Sequence, residues 1–426
     1  MRPRGADLAR TQRVALYEEI AEGFHETGTR GKIAFVVSTR DMSASKGDLF
    51  VALVLAAGLV DDGWGVTLWP TERYTDDMPS DIDVAIVMIE SYVPGLVDRR
   101  TRLIGWVRNW ADVWANLPYL HEFDALWCSS ADSAELLRRH FGGEIRVVPI
   151  ATDPVIFAPR PSSQRVSGVV TTANFWGVAR GISDALKVLT ASFPVAWFGR
   201  NAEHIHDLGS IEHRGLVEWS SLDAVYSSWM LVLDDLIPAA AQYGNQNSRL
   251  FDALACGAFV VTNDSRGLAE LGLSDVAAYS SPDTLVPLVE GLLADPVALE
   301  ARTATLRRVV LERHTGIARA TVLRDHLSGL LRSPAAPQGR REALLRWASG
   351  ERERLRSQRT ELDRVQHELQ IAAATQRGDV KELERELREE RARSAALGEQ
   401  LAHIRASRTY RIARHASHFA GRFRKR

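Results

Sequence analysis

Apolar and polar residues alternate along this chain in two rhythms that repeat. Leu8, Val14, Leu16, Tyr17, Ile20 and Phe24 recur at roughly helical spacing and predict a leading helix. From Lys32 onward, short β-rich runs take turns with helical ones. Strands are predicted at 32–38, 65–69, 84–89, 103–107, 125–128 and 145–150, with helices at 48–62 and 131–141 between them. After Ile150–Pro159 the alternation restarts. Strands are predicted at 168–172, 195–199, 212–215, 231–234, 259–263 and 277–280, and helices near 181–191, 220–228, 248–256 and 282–294, with one or two closing helices in 296–331. This pattern predicts an α/β protein of two Rossmann-like doubly wound domains, residues 31–150 and 151–331, behind a leading segment 1–30.

The rhythm then changes. Ser333–Gly339 has the composition of a linker, and we place one at 332–340. From Arg341 to Ile404 the chain is rich in Arg, Glu and Leu. Leu362, Val365 and Leu369 and later Leu383, Leu387, Leu397 and Leu401 mark a heptad seam whose frame slips by four residues near 376–380. The expectation is a coiled-coil helix over 341–404 that pairs two copies into a homodimer; a solvated single helix is the plainer reading. Residues 403–426 carry eight Lys and Arg, three His and no acid, with Tyr410, Phe419 and Phe423 interspersed. A basic tail at 405–426 of this kind suits an anionic membrane surface, or else is a disordered end.

Charge is unevenly shared. Residues 338–426 hold 22 Lys and Arg against 13 Asp and Glu, a net of +9, so residues 1–337 carry −10. An acidic body argues against non-specific nucleic-acid binding. Two cysteines, Cys128 and Cys256, in apolar settings fit a reducing cytoplasm. The early acids Asp7, Glu18, Glu19 and Glu22 speak against a signal peptide, and the longest apolar run, 49–60, is too short to span a bilayer. The expected place is the cytoplasm, peripheral to the inner face of the membrane.

Residues 247–263 hold the densest chemistry. Asn247-Ser248 is a helix-capping pair, Arg249 falls in the first turn, Asp252 lies one turn on, and Gly257 precedes the strand Phe259–Asn263. A helix start with a guanidinium suits a pyrophosphate, and a carboxylate beyond it suits a ribose. An ordinary capped helix packed on a sheet would read the same way.

This segment resembles the nucleotide-sugar site of GT-B glycosyltransferases, nearest the group-1, family 4 and CgeB-like branch, whose run reads roughly Asn-x-Arg-x-Phe-Glu-Ala-x-Ala-Cys-Gly. The resemblance covers about 31–331 and is stronger in the second half. It gives Asp252 the ribose and places Asn174 and Arg180, from the loop 171–181, with Asn247, Ser248 and Arg249 around the donor diphosphate. Lys46 and Gly47, in the loop after the first strand, fall where such enzymes approach phosphates or acceptor. Two family positions differ here: a donor-sugar Glu is Gly244, and a phosphate Lys is Ala185.

In the first half, Arg108, Asn109 and Asp112 follow the fourth strand and are candidates for acceptor binding or proton handling, with His121 as an alternative base. Trp110 and Trp114 offer either a sugar-stacking face or a core stripe. No His-Glu-x-x-His, Cys-x-x-Cys or Asp-x-Asp cluster points to a metal, no Walker motif points to an NTPase, and no cofactor is expected. A phosphorylase would need a Schiff-base lysine, and Lys187, alone between 151 and 331, sits mid-helix. The expectation is a metal-independent glycosyltransferase that takes a nucleotide-sugar, retains configuration, and serves a glycan or lipid-linked surface-polysaccharide acceptor. The alternatives are a catalytically silent sugar- or nucleotide-binding scaffold recruiting partners through its coiled coil, and a nucleotide-sugar epimerase.

Overall fold

A computed structural model of the chain describes residues 4–23, 28–161, 164–174, 181–200, 211–333, 340–375 and 380–406. The chain divides into two compact units. The larger comprises Met1–Glu72, Ser80–Tyr92 and Arg99–Ala336, and takes in the predicted 151–331 and all of the predicted 31–150 except residues 73–79 and 93–98.

Its first lobe runs α1 (Arg4–Glu22), β1 (Lys32–Val36), α2 (Gly47–Asp61), β2 (Gly65–Trp69), β3 (Val84–Val87), β4 (Arg102–Val107), α3 (Ala111–Ala115), β5 (Ala125–Cys128), α4 (Ala131–Arg138) and β6 (Glu144–Val147). Every pairing is parallel, in the order β2-β1-β3-β4-β5-β6. Strands β3, β4 and β5 are buried along their whole length, as parallel strands covered on both faces must be.

The second lobe runs β7 (Val166–Thr172), α5 (Ile182–Leu189), β8 (Val195–Phe198), β9 (Glu212–His213), α6 (Leu222–Ser228), β10 (Trp229–Asp234), α7 (Pro238–Ala241), α8 (Ser248–Ala255), β11 (Phe259–Thr262), β12 (Ala277–Ala278), α9 (Pro282–Ala294), α10 (Pro296–Arg313) and α11 (Gly316–Arg332). Its sheet is again parallel, in the order β12-β11-β10-β7-β8-β9. The two orders put the strand reversals between β1 and β3 and between β7 and β10, which is where open α/β sheets bind ligands.

The last helix of this lobe, α11, returns to the first. It packs on α2, whose residues Leu49–Leu59 are all buried. Gly58 and Gly316 allow the approach: a Cβ on Gly58 would stand 2.3 Å from the Gly316 carbonyl oxygen, and one on Gly316 equally close to that of Val54. Trp127 Nε1 donates to His326 Nε2 at 3.2 Å, and Arg324 Nε donates to Asp62 at 2.7 Å, fixing the same return. At the amino end, Arg10 of α1 reaches into the second lobe and pairs with buried Asp223 at 3.0 Å. The predicted strands and helices are present to within a few residues, whereas α3 and α7 were not foreseen. Among the described residues, no helix is long and apolar enough to cross a membrane.

The second unit comprises Arg73–Pro79, Val93–Asp98 and Pro337–Arg426. Its long elements are α12 (Arg340–Thr375) and α13 (Val380–Ala406), which pack on each other. Arg359 Nη1 donates to Ser394 Oγ at 2.7 Å, so the helices run back to back. This corrects the single coiled-coil helix expected over 341–404. Seam residues whose burial is described lie in both helices. Leu355 and Ser394 are buried there, with Leu362, Val365, Leu387, Leu397 and Leu401 half-buried. Most of the expected linker, at 334–339, and the basic tail, from 407 on, lie outside the described residues.

Candidate active site

The two sheets point their carboxyl ends into one cleft of about 530 Å³. On the second lobe its wall is built by the ends of β7 and β10 and by the start of α8. Asn247 holds the N-cap position with extended backbone (φ −79°, ψ 158°), yet its side chain does not cap the helix. Its amide turns backward instead, donating to Asp234 Oδ1 at 3.0 Å and to the Asp235 carbonyl at 2.7 Å. The first-turn N–H groups of α8 are therefore left without a side-chain cap at the cleft, beside Ser248. The cap expected from sequence is corrected: Asn247 is an anchor for the β10 loop.

Arg249 is buried on this wall and already engaged. Nη1 pairs with Asp234, Nη2 donates to the Thr172 carbonyl at 3.0 Å, and Nε donates to Thr172 Oγ1 at 3.3 Å. Burial works against its charge, but Asp234 and Asp235 outweigh that and raise its pKa. The guanidinium expected to meet phosphate is thus largely neutralised from behind.

Asp252 is buried one turn further in, where Thr152 Oγ1 donates to Oδ1 at 2.6 Å. Burial pushes its carboxyl up to about 8; the Thr152 hydrogen bond opposes this and the charge of Asp153 adds to it. Thr152 belongs to the crossing between lobes, held by its N–H to the His314 carbonyl and by its own carbonyl to Gly316 N. The neighbouring Asp153 accepts from Tyr17 and lies 3.4 Å from Arg13, both on α1.

Asn174 lines the cleft as a bridge between lobes. Its Nδ2 donates to the Ser45 carbonyl at 3.2 Å, and its Oδ1 accepts from Arg200 N at 3.0 Å. Across the cleft, Ser133 Oγ donates to Asn245 Oδ1 at 3.2 Å, and Ala131 N meets the Glu270 carboxylate at 3.1 Å. Arg180 lies outside the described residues.

The first-lobe wall is different in kind. Lys46 and Gly47 line it at the start of α2. Asp48 lines it too, but both its oxygens accept from Ser38, N–H at 2.7 Å and Oγ at 2.8 Å. Arg108 follows β4; its Nη2 donates to the Met88 carbonyl at 2.9 Å, and Nε is buried without a hydrogen-bond partner among the described residues. Burial lowers its pKa, against the pull of Asp48 and Glu90. Asn109 and Glu90 line the cleft with no hydrogen bond or ion pair from their side chains among the described residues. Glu90 was not foreseen; a polar residue just past a buried strand was the signal available.

Two first-lobe candidates are not at the site. Asp112 is exposed on α3, outside the cleft lining, because it sits one residue into a helix whose first buried face belongs to Ala111 and Trp114. His121 is exposed beside Glu122, with Nε2 3.1 Å from its carboxylate, also away from the lining. The paired tryptophans separate. Trp114 is 2% exposed and packs on Phe123, whereas Trp110 is 41% exposed at the cleft in left-handed backbone (φ 52°, ψ 47°).

Residues 178–325 match the protein family described as glycosyl transferase-like. AviGT4, a glycosyltransferase involved in avilamycin A biosynthesis, is similar in structure with a TM-score of 0.52, over 72% of this chain and 100% of its own, at 16% identity. HepE of Anabaena, solved in complex with UDP-glucose, is similar with a TM-score of 0.53, over 70% of this chain and 100% of its own, at 13% identity. No curated protein matches the sequence significantly. The fold is GT-B.

The matched stretch, 178–325, is part of a GT-B frame whose cleft gathers Lys46, Gly47, Arg108, Asn109, Asn174, Asn247, Ser248, Arg249 and Asp252. The two sequence departures have structural reasons. Gly244 has φ +66°, and a Cβ there would stand 3.0 Å from the backbone of Arg266 and Gly267, so no acid fits. Ala185 is fully buried inside α5, where a lysine charge would be stranded. Among the described residues no group of three His, Cys, Asp or Glu side chains is placed to hold a metal ion.

Proposed function

We propose that this chain is a glycosyltransferase that takes a nucleotide-activated sugar and moves the sugar to an acceptor hydroxyl, without a metal. The observation that carries this reading is the start of α8, where Asn247 sits at the N-cap and spends its amide elsewhere. The N–H groups of Ser248 and Arg249 make no hydrogen bond among the described residues, while that of Leu250 donates to the Asn247 carbonyl; two free N–H groups with helix-dipole charge beside a cleft between two lobes suit a diphosphate. In this reading Asp252 holds the ribose and Asn174, Asn247 and Ser248 surround the phosphates. Arg249 stiffens the site, with its remaining N–H directed at the ligand. The donor end is stabilised as it leaves by fixed dipoles rather than by a protein nucleophile. The resemblance to family 4 implies retention of anomeric configuration, and the first-lobe wall receives the acceptor. HepE's bound UDP-glucose makes UDP-sugars the first donors to try.

Ser248→Pro tests the reading directly. Ser248 is the first residue of α8, where proline is tolerated, and the backbone of Asn247 already suits a residue preceding proline. The change deletes one N–H together with the Ser248 hydroxyl, and Ser248→Ala, which loses the hydroxyl alone, is the reference against which the N–H is read. Calorimetric titration with UDP-, GDP- and TDP-sugars is expected to find one that binds, and Ser248→Pro to weaken it by about tenfold, the worth of roughly one charge-assisted hydrogen bond, with the unfolding midpoint kept. Unchanged affinity would put the phosphates elsewhere.

A second reading has its own observation. The acid and lysine missing at Gly244 and Ala185 are excluded sterically and by burial, which suits a silent scaffold that binds a nucleotide-sugar without turnover. Release of the nucleoside diphosphate in the presence of acceptor separates the two.

A further inference from the structure

The first-lobe wall holds side chains that the fold leaves unspent. The Glu90 carboxylate, the Asn109 amide and Arg108 Nη1 make no hydrogen bond or ion pair among the described residues, and all three residues line the cleft at the ends of β3 and β4. Beside them Trp110 is the only exposed tryptophan among the described residues. Its position is costly twice over. It is the N-cap of α3, a place for Ser, Thr, Asn or Asp, and makes no side-chain cap; its carbonyl accepts the first helical bond from Trp114 N at 3.0 Å. It also holds φ at +52°, a region a bulky residue enters only when its surroundings force it. Packing does not demand the ring, because Trp114 already fills the core beneath.

We propose that Trp110, Glu90, Arg108 and Asn109 form a subsite for a neutral pyranose ring, so that the acceptor is itself a glycan. This rests on the glycosyltransferase reading above and names the substrate class for its acceptor side. The indole face packs against the C–H face of the ring, an apolar surface flanked by hydroxyls. The Glu90 carboxylate accepts from two neighbouring hydroxyls, while Arg108 Nη1 and Asn109 donate to ring or hydroxyl oxygens. Arg108 and Lys46 bring two positive charges to this wall and Glu90 and Asp48 two negative, so their fields offset. A phosphate or uronate here would face the Glu90 carboxylate without a surplus of cations.

Saturation-transfer NMR tests this on the full chain, with and without UDP. The probes are the methyl pyranosides of glucose, galactose and mannose, with glycerol 3-phosphate as the anionic comparator. Ring-proton saturation of at least one pyranoside is expected, weakened about tenfold or more in Trp110→Gly and in Glu90→Gln and largely kept in Trp110→Phe. The glycine variant suits the left-handed backbone, so its loss of binding would report the ring and not misfolding. Equal saturation in all variants, no saturation of any pyranoside, or preference for glycerol 3-phosphate overturns the subsite. Absence of UDP, GDP and TDP binding would instead count against the donor site, and the pyranoside arm is read on the nucleotide-free protein regardless.

Discussion

The two walls of the cleft use their polar groups in opposite ways. On the second lobe nearly every one is engaged by a neighbour: Arg249 by Asp234 and Thr172, Asn247 by Asp234 and Asp235, Asp252 by Thr152. On the first lobe Glu90, Asn109 and one arm of Arg108 make no such bond among the described residues. An engaged wall is preorganised: it presents backbone N–H groups in fixed positions and does not reorganise when the ligand arrives. An open wall spends its side chains on the ligand itself. In the proposed function this divides the labour between a donor diphosphate, the same in every turnover, and an acceptor whose hydroxyls must be individually gripped.

The sharpest consequence concerns Asp234 and Arg249. If the donor wall is a buried ion-pair frame, cutting either partner strands the other charge in a desolvated site. Asp234→Ala and Arg249→Ala are each expected to destabilise the protein by about 3–5 kcal/mol. The double change Asp234→Leu with Arg249→Met should cost far less than the sum. Denaturant unfolding of the three variants measures this. Additive losses would mean the two groups are independent, and Arg249 would revert to a ligand-facing charge.

This frame also marks where sequence reading stops. The alternating runs of 32–150 and 166–280 specify a doubly wound architecture, because a parallel strand covered on both faces must be continuously apolar and is recognisable alone. The polar residues at the starts of helices were legible for the same local reason, and Lys46, Gly47, Asn247 and Ser248 do line the cleft. What Arg249 does was not legible, since its charge is neutralised by Asp234 on a strand fifteen residues earlier, a long-range pairing. Asp112 and His121 failed differently. Which way a side chain points after β4 depends on the left-handed turn at Trp110, and a tryptophan gives no sequence signal of φ > 0 as a glycine or asparagine would. The heptads of 341–404 have a related ambiguity: a seam repeats alike whether its partner is another chain or a second helix of the same chain, as α12 and α13 are to each other.

The middle-sized prediction concerns pH. The folded-state pKa of Asp252, pushed up to about 8, lies above the ordinary carboxylate value, so the folded state binds a proton that the unfolded chain has released. Stability attributable to Asp252 is therefore intact below about pH 4 and is lost progressively as pH rises through 8. Asp252→Asn should gain stability relative to wild type across that window. Donor affinity should move the other way in the wild type, rising as pH climbs through about 8 and the carboxylate becomes a double acceptor for ribose hydroxyls. Titrations at pH 6 and 9 check both, and the asparagine variant should lose the pH dependence of binding. An affinity falling with pH in the wild type would remove Asp252 from the ribose.

The smallest effect is the most diagnostic of the open wall. A tryptophan at φ 52° with no cap costs the fold something, and the core does not need its exposed ring. Trp110→Gly removes the left-handed penalty and is expected to raise stability by about 1 kcal/mol, while Trp110→Ala, which keeps a Cβ, should gain little or nothing. Unfolding midpoints of the two variants separate backbone relief from loss of the ring. A glycine variant less stable than the alanine one would mean the indole anchors the turn by packing. In that case the contrast between the walls would vanish, both spending their groups on the fold. A stability gain accompanied by loss of pyranoside binding would identify strain retained for the ligand, the reverse of the Asp234–Arg249 frame, where removing the interaction weakens the fold as well as the site.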